Sequence, residues 1–448
     1  MASIHAKLAL LPDGWAKDVR IGLNGRDIET VETGVEAASN DERHDILLPA
    51  MANLHSHAFQ RGMAGLAETR GPAEDNFWSW RTVMYRFALS MNPDQMQAIA
   101  AQLYVEMLEA GFSRVGEFHY LHHDQDGGPY ADIAEMAIRI VAAAEETGIG
   151  LTLLPVFYAH SNFGGLAPTD GQRRFICDLE SFGRLLDGAR RAASRLPGAV
   201  TGIAPHSLRA VTPDELAALT SLSPEGPVHI HAAEQVKEVE DCVAALQRRP
   251  VEWLLENAGV DGRWCLIHAT HMTEDEARGL ARSGAVAGLC PVTEANLGDG
   301  FFEAETYLAN AGAFGVGSDS NVLIGIRDEL RQLEYAQRLA RRARNIVAVP
   351  GGSTGRRLFD GAVAGGAQAL GGRSGLVAGA PADMMTLDRS AAPYVGTDQI
   401  LDHFIFANGI RVGSVWTGGR KLVDGGRHVR REEIAARFRR VMAEFVTH

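Results

Sequence analysis

Leu48-Pro49-Ala50-Met51-Ala52-Asn53-Leu54-His55-Ser56-His57 is an apolar run that ends in two histidines one residue apart. It reads as a buried strand with a polar tip. Side chains at i and i+2 leave a strand on the same face, so His55 and His57 can direct both imidazoles toward one cation. A strand that carries metal-ligand chemistry at its end points to a fold in which many strand ends meet.

Outward from this stretch, short apolar runs alternate with longer amphipathic segments, the pattern of repeated strand–helix units on a parallel sheet. The candidate strands are Leu47–Leu54, Ser113–Phe118, Leu151–Phe157, Val200–Pro205, Pro227–His231, Trp264–His268, Ala285–Leu289 and Phe314–Gly317. Helical stretches between them include Pro93–Ala110, which begins on a proline suited to a first helical position, Ala131–Thr147, Pro213–Thr220, Thr273–Ala281 and Arg327–Arg342. The spacing predicts an α/β fold, a (β/α)8 TIM-like barrel over residues 48–372. Residues 1–47 and 373–448 read as short strands parted by Gly, Pro and Asp turns, all-β at both ends. They are expected to combine into one small β-sandwich domain, because each alone would bury too little core.

The 448 residues carry a net charge of −13, which opposes binding to nucleic acid or to acidic membranes. No apolar run approaches the ~20 residues of a membrane helix, and Met1–Leu11 lacks the pattern of a secretory signal, so a cytoplasmic location is the expectation. Cys177, Cys242, Cys265 and Cys290 are scattered without a CxxC pair and read as reduced thiols. An anionic substrate would need locally placed arginines.

If the eight strands close, their C-terminal ends converge on one site. The first ends in His55 and His57, the fifth in His229-Ile-His231-Ala-Ala-Glu234, the sixth in His268-Ala-Thr-His271 and the eighth in Gly317-Ser-Asp319-Ser320. Three imidazoles and a carboxylate around an open position suit Zn²⁺ or a similar divalent transition metal, which lowers the pKa of a bound water. The ligands assigned are His55, His57, His231 and Asp319, with His229 the alternative to His231 by position. His231 is favoured because Glu234 then follows it at catalytic reach. A lysine at the end of the fourth strand, of the kind that bridges two metals after reacting with carbon dioxide, is absent: Lys7, Lys17, Lys237 and Lys421 all lie off the barrel strands. One metal ion per subunit is expected.

These motifs resemble the amidohydrolase superfamily across nearly the whole chain, and its mononuclear deaminase branch in particular. Asn53-Leu-His-Ser-His-Ala-Phe-Gln-Arg61, Glu117-Phe-His-Tyr120, His206-Ser-Leu-Arg-Ala-Val-Thr-Pro213, His231-Ala-Ala-Glu-Gln235, His268-Ala-Thr-His271 and Thr293-Glu-Ala-Asn-Leu-Gly-Asp-Gly300 are similar to the formimidoylglutamate deiminase family. The resemblance implies hydrolysis of the formimino C=N bond of N-formimino-L-glutamate, a step of histidine degradation, to N-formyl-L-glutamate and ammonia. It implies that Glu234 holds the amidine nitrogens and passes a proton, that His268 orients the attacking oxygen, and that Asp319 both ligates metal and relays a proton. Arg81 and Arg209 would bind the two carboxylates of the substrate, with Gln60, Tyr120 and His206 as further hydrogen-bonding contacts. Arg81 is placed in a loop beyond the first strand, long enough to cover the site. A homodimer is implied by the same resemblance. Glu294 either contacts substrate or orders its loop. Asn321 departs from the family pattern, which has histidine there, and puts hydrogen bonding around the metal in question. His119, His122, His123 and His160 have no strand-end placement and read as satisfied core or surface histidines.

The competing readings are a deaminase of the same branch acting on a purine, pyrimidine or triazine ring, and a non-catalytic barrel relative that has lost its metal. Paired arginines argue against a neutral ring. The intact ligand set argues against the second.

Overall fold

The computed structural model describes residues 2–70 and 76–446. The quoted stretch is two strands rather than one. β1 (Ala2–Leu11), β2 (Gly14–Asn24), β3 (Asp27–Glu32) and β4 (Glu42–Pro49) belong to a sheet made from the chain ends, and β5 (Met51–Ser56) opens the barrel. The switch falls at Ala50. Pro49 has no N–H to extend a ladder, Ala50 N–H donates to Asp383 O at 3.0 Å, and Met51 N–H donates to Gly111 O at 3.3 Å in the barrel.

The remaining barrel strands are β6 (Phe112–His119), β7 (Gly150–Phe157), β8 (Val200–Thr201) with β9 (Ala204–Pro205), β10 (Val228–Ala232), β11 (Trp264–His268), β12 (Val286–Leu289) and β13 (Ala313–Val316). They pair in parallel in two arcs, β5 to β9 and β10 to β13. β10 and β11 are buried at every residue, the mark of parallel strands covered on both faces. The expected fourth strand is split because its backbone runs against the next arc: a Cβ on Gly202 would meet Pro227 O at 2.3 Å. Single bridges join the arcs on both sides, Ile203 with Val228 and Ser207 with His231 on one side, Ser56 with Asp319 on the other. The barrel predicted from the sequence is the observed architecture.

β14 (Met384–Asp388), β15 (Arg411–Thr417), β16 (Arg420–Asp424) and β17 (Arg427–His428) complete the terminal sheet, in the order β17-β16-β15-β14-β4-β1-β2-β3. Both chain ends build it, as their turn-rich composition required. Ile4, Ala6, Val19, Ile21, Leu47, Met384 and Trp416 fill an apolar cluster of its own, whereas Leu8, Leu10, Ile46 and Leu48 join the main core. The C-terminal segment is not all-β. Ile400–Phe406 and Arg431–Val446 are helices, and the latter carries Ile434, Phe438, Val441, Met442 and Phe445 at helical spacing against the main core.

Two helices frame the site. α1 (Phe77–Ser90) replaces the expected loop around Arg81, and α2 (Pro93–Glu109) starts as the sequence predicts. In each, an Asn one residue ahead accepts from the first turn and receives a reciprocal side-chain bond, Asn76 with Ser79 and Asn92 with Gln95. Aromatic residues, indifferent helix formers, dominate the first turn of α1 and hid it from sequence reading. The four cysteines are buried and unpaired. No helix among the described residues is long and apolar enough to cross a membrane.

The helix Thr354–Ala369 packs on β13 through Gly365, where a Cβ would lie 1.9 Å from Phe314 O. Gly365→Ala is expected to cost about 1–3 kcal/mol by overpacking, read as a lowered urea midpoint. Gly183→Ala, at a half-buried helix position with nothing within 4 Å of the new Cβ, is expected to leave the midpoint unchanged or raise it.

Candidate metal and substrate site

The residues named from the sequence gather at the C-terminal ends of the barrel strands. His55 Nε2 lies 3.2 Å from His231 Nε2 and 3.4 Å from Asp319 Oδ1, and His57 Nε2 lies 3.2 Å from the same carboxylate oxygen. The ligand atoms of His55, His57 and His231 all fall within 4.8 Å of one another. His229 is turned elsewhere: its Nε2 donates to Ala369 O at 2.8 Å.

The donor set fits a cation. His57 Nδ1–H donates to Phe118 O and His231 Nδ1–H to His206 O, each at 3.0 Å, and these carbonyls assign the proton to Nδ1. Nε2 of each ring then faces the cluster. Burial holds His55 down to about 3 and His231 well below the ordinary imidazole range, so neither supplies a proton between the facing lone pairs. Asp319 is buried, which would raise its carboxyl, yet the adjoining His55 and His57 rings hold it well below the usual carboxylate range. Buried nitrogen and oxygen lone pairs at such spacing repel unless a positive ion lies among them.

Asn321 restores the hydrogen bonding that its departure from the family pattern put in question. Its Nδ2 donates to His57 O at 3.0 Å and Asp319 O at 2.9 Å, and its Oδ1 accepts from Ser318 Oγ–H at 2.6 Å. Asn53 Nδ2 in turn donates to Ser318 Oγ at 2.6 Å. Neither Asn53 nor Ser318 was singled out from the sequence, because the hydrogen bonds that join them span 265 positions.

Glu234 and His268 stand beside the ligand cluster, with Glu234 Oε1 3.8 Å from His268 Nε2, which is also 3.8 Å from Asp319 Oδ2. Burial raises the Glu234 carboxyl above its ordinary value. Burial would lower His268, yet Glu234, the Glu294 hydrogen bond and Asp319 together push it up to about 10. Glu294 is resolved from the two roles left open: its Oε1 lies 3.3 Å from His268 Nδ1 and accepts from Cys290 N–H at 3.0 Å. It orders the site from behind and does not line the cavity.

A cavity beside the cluster is lined by His57, Gln60, Arg81, Tyr120, His206, Arg209, His231, Glu234, His268 and Asp319, so it brings together all the substrate-side residues named from the sequence. Gln60 Nε2 donates to Tyr120 Oη at 2.9 Å, leaving Gln60 Oε1 buried without a partner. Arg209 is buried, and its Nε also lacks a partner. Neither Arg81 nor Arg209 forms an ion pair among the described residues. Aromatic walls complete the cavity: Phe77, Trp80 and Tyr85 on α1, with Tyr158 and Phe175. Sequence reading missed these walls, since scattered aromatic residues carry no periodic signal that separates a cavity wall from a core.

Asn321→Ala is expected to weaken metal binding about 10–100-fold, measured by competition with a chromogenic chelator, because the carbonyls of His57 and Asp319 and the Ser318 hydroxyl lose their common partner.

Residues 46–422 match the Amidohydrolase family, and residues 1–45 match the N-terminal domain of formimidoylglutamate deiminase HutF. The formimidoylglutamate deiminase of Pseudomonas aeruginosa is 49% identical over 454 residues, covering 100% of both chains. The crystal structure of an amidohydrolase from Brucella melitensis superposes with a TM-score of 0.98 at 60% identity over 100% of both chains. An adenosine deaminase from Xanthomonas campestris with bound zinc shares the fold at a TM-score of 0.82 and 21% identity, over 100% of this chain and 99% of that one. A metal-capable cluster at the strand ends of a closed barrel, with the family match over most of the chain, leads to one conclusion: this chain belongs to the amidohydrolase family.

Proposed function

We propose that the protein hydrolyses N-formimino-L-glutamate to N-formyl-L-glutamate and ammonia. The observation that carries this reading is the pair Arg81 and Arg209, two guanidinium groups without a carboxylate partner among the described residues, at a cavity that opens on the ligand cluster of a strongly acidic protein. Two anions on one small molecule answer that arrangement. The whole-length similarity to a formimidoylglutamate deiminase supports the same substrate.

His55, His57, His231 and Asp319 would hold one Zn²⁺ or similar divalent ion. Such an ion supplies Lewis acidity and lowers the pKa of a water toward neutrality. The protein does the rest by placement. Arg81 and Arg209 fix the carboxylates, so the formimino carbon is held toward the cluster and away from the aromatic walls. His268 Nε2 orients the attacking oxygen through its hydrogen bond. Glu234 receives one water proton at Oε1 and delivers it to the terminal amidine nitrogen, Asp319 relays the second to the same nitrogen, and that nitrogen departs as ammonia. Burial raises the carboxyl of Glu234 above the ordinary value, which suits a group that takes up a proton and then gives it away. One water is consumed, the C=N bond becomes C=O, and the net charge of the two carboxylates is unchanged. The same reading places the protein in the cytoplasm as a homodimer acting in histidine degradation, on the family resemblance alone.

The test is coupled detection of ammonia from N-formimino-L-glutamate, with and without a chelator. Release abolished by the chelator and restored by Zn²⁺ is expected. Ammonia from guanine or cytosine, and none from N-formimino-L-glutamate, would mean a ring deaminase instead. Glu234→Gln is expected to lower kcat about 10²–10⁴-fold with metal content unchanged. Arg209→Met is expected to raise KM about 10–100-fold through loss of a charge-assisted contact.

A further inference from the structure

Arg81 and Arg209 reach the cavity from different parts of the fold, one from α1 and one from the loop after β9, yet both meet the same side chain. The Arg81 guanidinium carbon lies 4.5 Å from the centroid of the Trp78 ring, and that of Arg209 lies 5.8 Å from it. We propose that Trp78 is a specificity-determining residue, whose indole holds the two arginines at the spacing of a dicarboxylate. The proposal rests on the substrate reading above.

The local geometry gives Trp78 this position. Arg81 follows Trp78 by three residues and precedes Tyr85 by four, so on the helix its guanidinium is stacked between two aromatic rings, the second at 5.5 Å. Asn76 Oδ1 accepts from Trp78 N–H at 2.9 Å and pins the first turn that carries the indole. The other end of α1 is held independently: Arg174, fully buried, donates through Nη1 to Ala88 O at 2.5 Å and Met91 O at 2.7 Å. A change at Trp78 therefore leaves the helix seated. Arg209, in the loop after β9, is buried and does not depend on α1 for its place in the chain.

Two guanidinium groups beside one cavity, with no ion pair among the described residues, repel each other, and long side chains held by no carboxylate sample many rotamers. A shared π face attracts both cations, yet more weakly than a carboxylate does, so the anions of a ligand can replace it. Removing the indole leaves Arg81 over Tyr85 alone and takes from Arg209 its cation–π contact with Trp78. A ligand with two carboxylates then has to order both arginines on binding, whereas a ligand with one has to order a single arginine. The cost should therefore fall on doubly charged ligands, and on KM rather than kcat.

The experiment is calorimetric titration of the metal-loaded protein with unreactive N-formyl-L-glutamate and with two singly charged analogues, N-formyl-L-glutamine and 4-formamidobutyrate. It is run on wild type, Trp78→Leu and Trp78→Phe, alongside steady-state kinetics. Trp78→Leu is expected to weaken N-formyl-L-glutamate binding about tenfold and each analogue less, with kcat within about twofold of wild type. Trp78→Phe, which keeps a π face, is expected to recover most of the loss. Equal losses for singly and doubly charged ligands, unaltered binding, a fall in kcat without a rise in KM, or no difference between the Phe and Leu variants would each overturn the proposal. If N-formyl-L-glutamate binds as expected but N-formimino-L-glutamate yields no ammonia, the reaction assigned to the site fails and the role of Trp78 stands. Failure of wild type to bind N-formyl-L-glutamate would overturn both.

Discussion

Asp319 N–H donates to His55 O at 3.0 Å, and His57 N–H donates to Asp319 O at 3.1 Å. These two backbone bonds join the end of the last barrel strand to the end of the first, and the candidate site depends on them. They close the barrel and, in the same step, bring a carboxylate to the two histidines from more than 260 positions away. Gly317 permits the approach, since a Cβ there would lie 2.7 Å from both His55 N and His55 O. Fold closure and metal-ligand geometry are thus one constraint, and the network of Asn53, Ser318 and Asn321 fastens it from the side chains.

The strand ends carry backbone strain in the same place. Ala233, His268, Ala269, Asp319 and Asn321, none of them glycine, all have φ between 45° and 67°. Left-handed conformations at such residues cost about 1–3 kcal/mol each and persist only where surrounding bonds hold them. Here those bonds are in view. Glu238 accepts from the N–H groups of Ala233 and Glu234 at 3.2 and 3.1 Å, Glu294 holds the His268 ring, and Asn321 spans His57 and Asp319. The turns direct side chains into the cavity that an ordinary strand-to-helix exit would carry past it.

Charge is distributed to the same end. A chain of net charge −13 would repel a dianion, and few of its cations come from lysine. Arg209 is nevertheless buried at the cavity, where Glu238, Tyr158 and Glu234 keep its pKa above the ordinary value against the effect of burial. Its charge is not cancelled by a salt bridge among the described residues, so it remains available to a ligand. The acidic surface does not prevent anion recognition, because the low-dielectric cavity weights the nearest cations most.

From the sequence alone, the alternation of apolar runs and amphipathic segments determined the barrel, and the polar residues at four run ends named the candidate ligands. Both signals are local: periodicity follows from backbone geometry, and His55 and His57 share a face because the strand repeat is two residues. The assignment of both chain ends to one sheet was legible too, from the shortage of core in either alone. Only the tertiary structure decided that the opening stretch crosses from one sheet to the other at Ala50, that α1 is a helix, and that Glu294, Asn321 and Asn53 support the site. The choice between His229 and His231 also needed it. Each of these depends on contacts between residues far apart in the chain, and a carbonyl such as Ala369 O or His206 O leaves no mark in the sequence of the histidine that it orients.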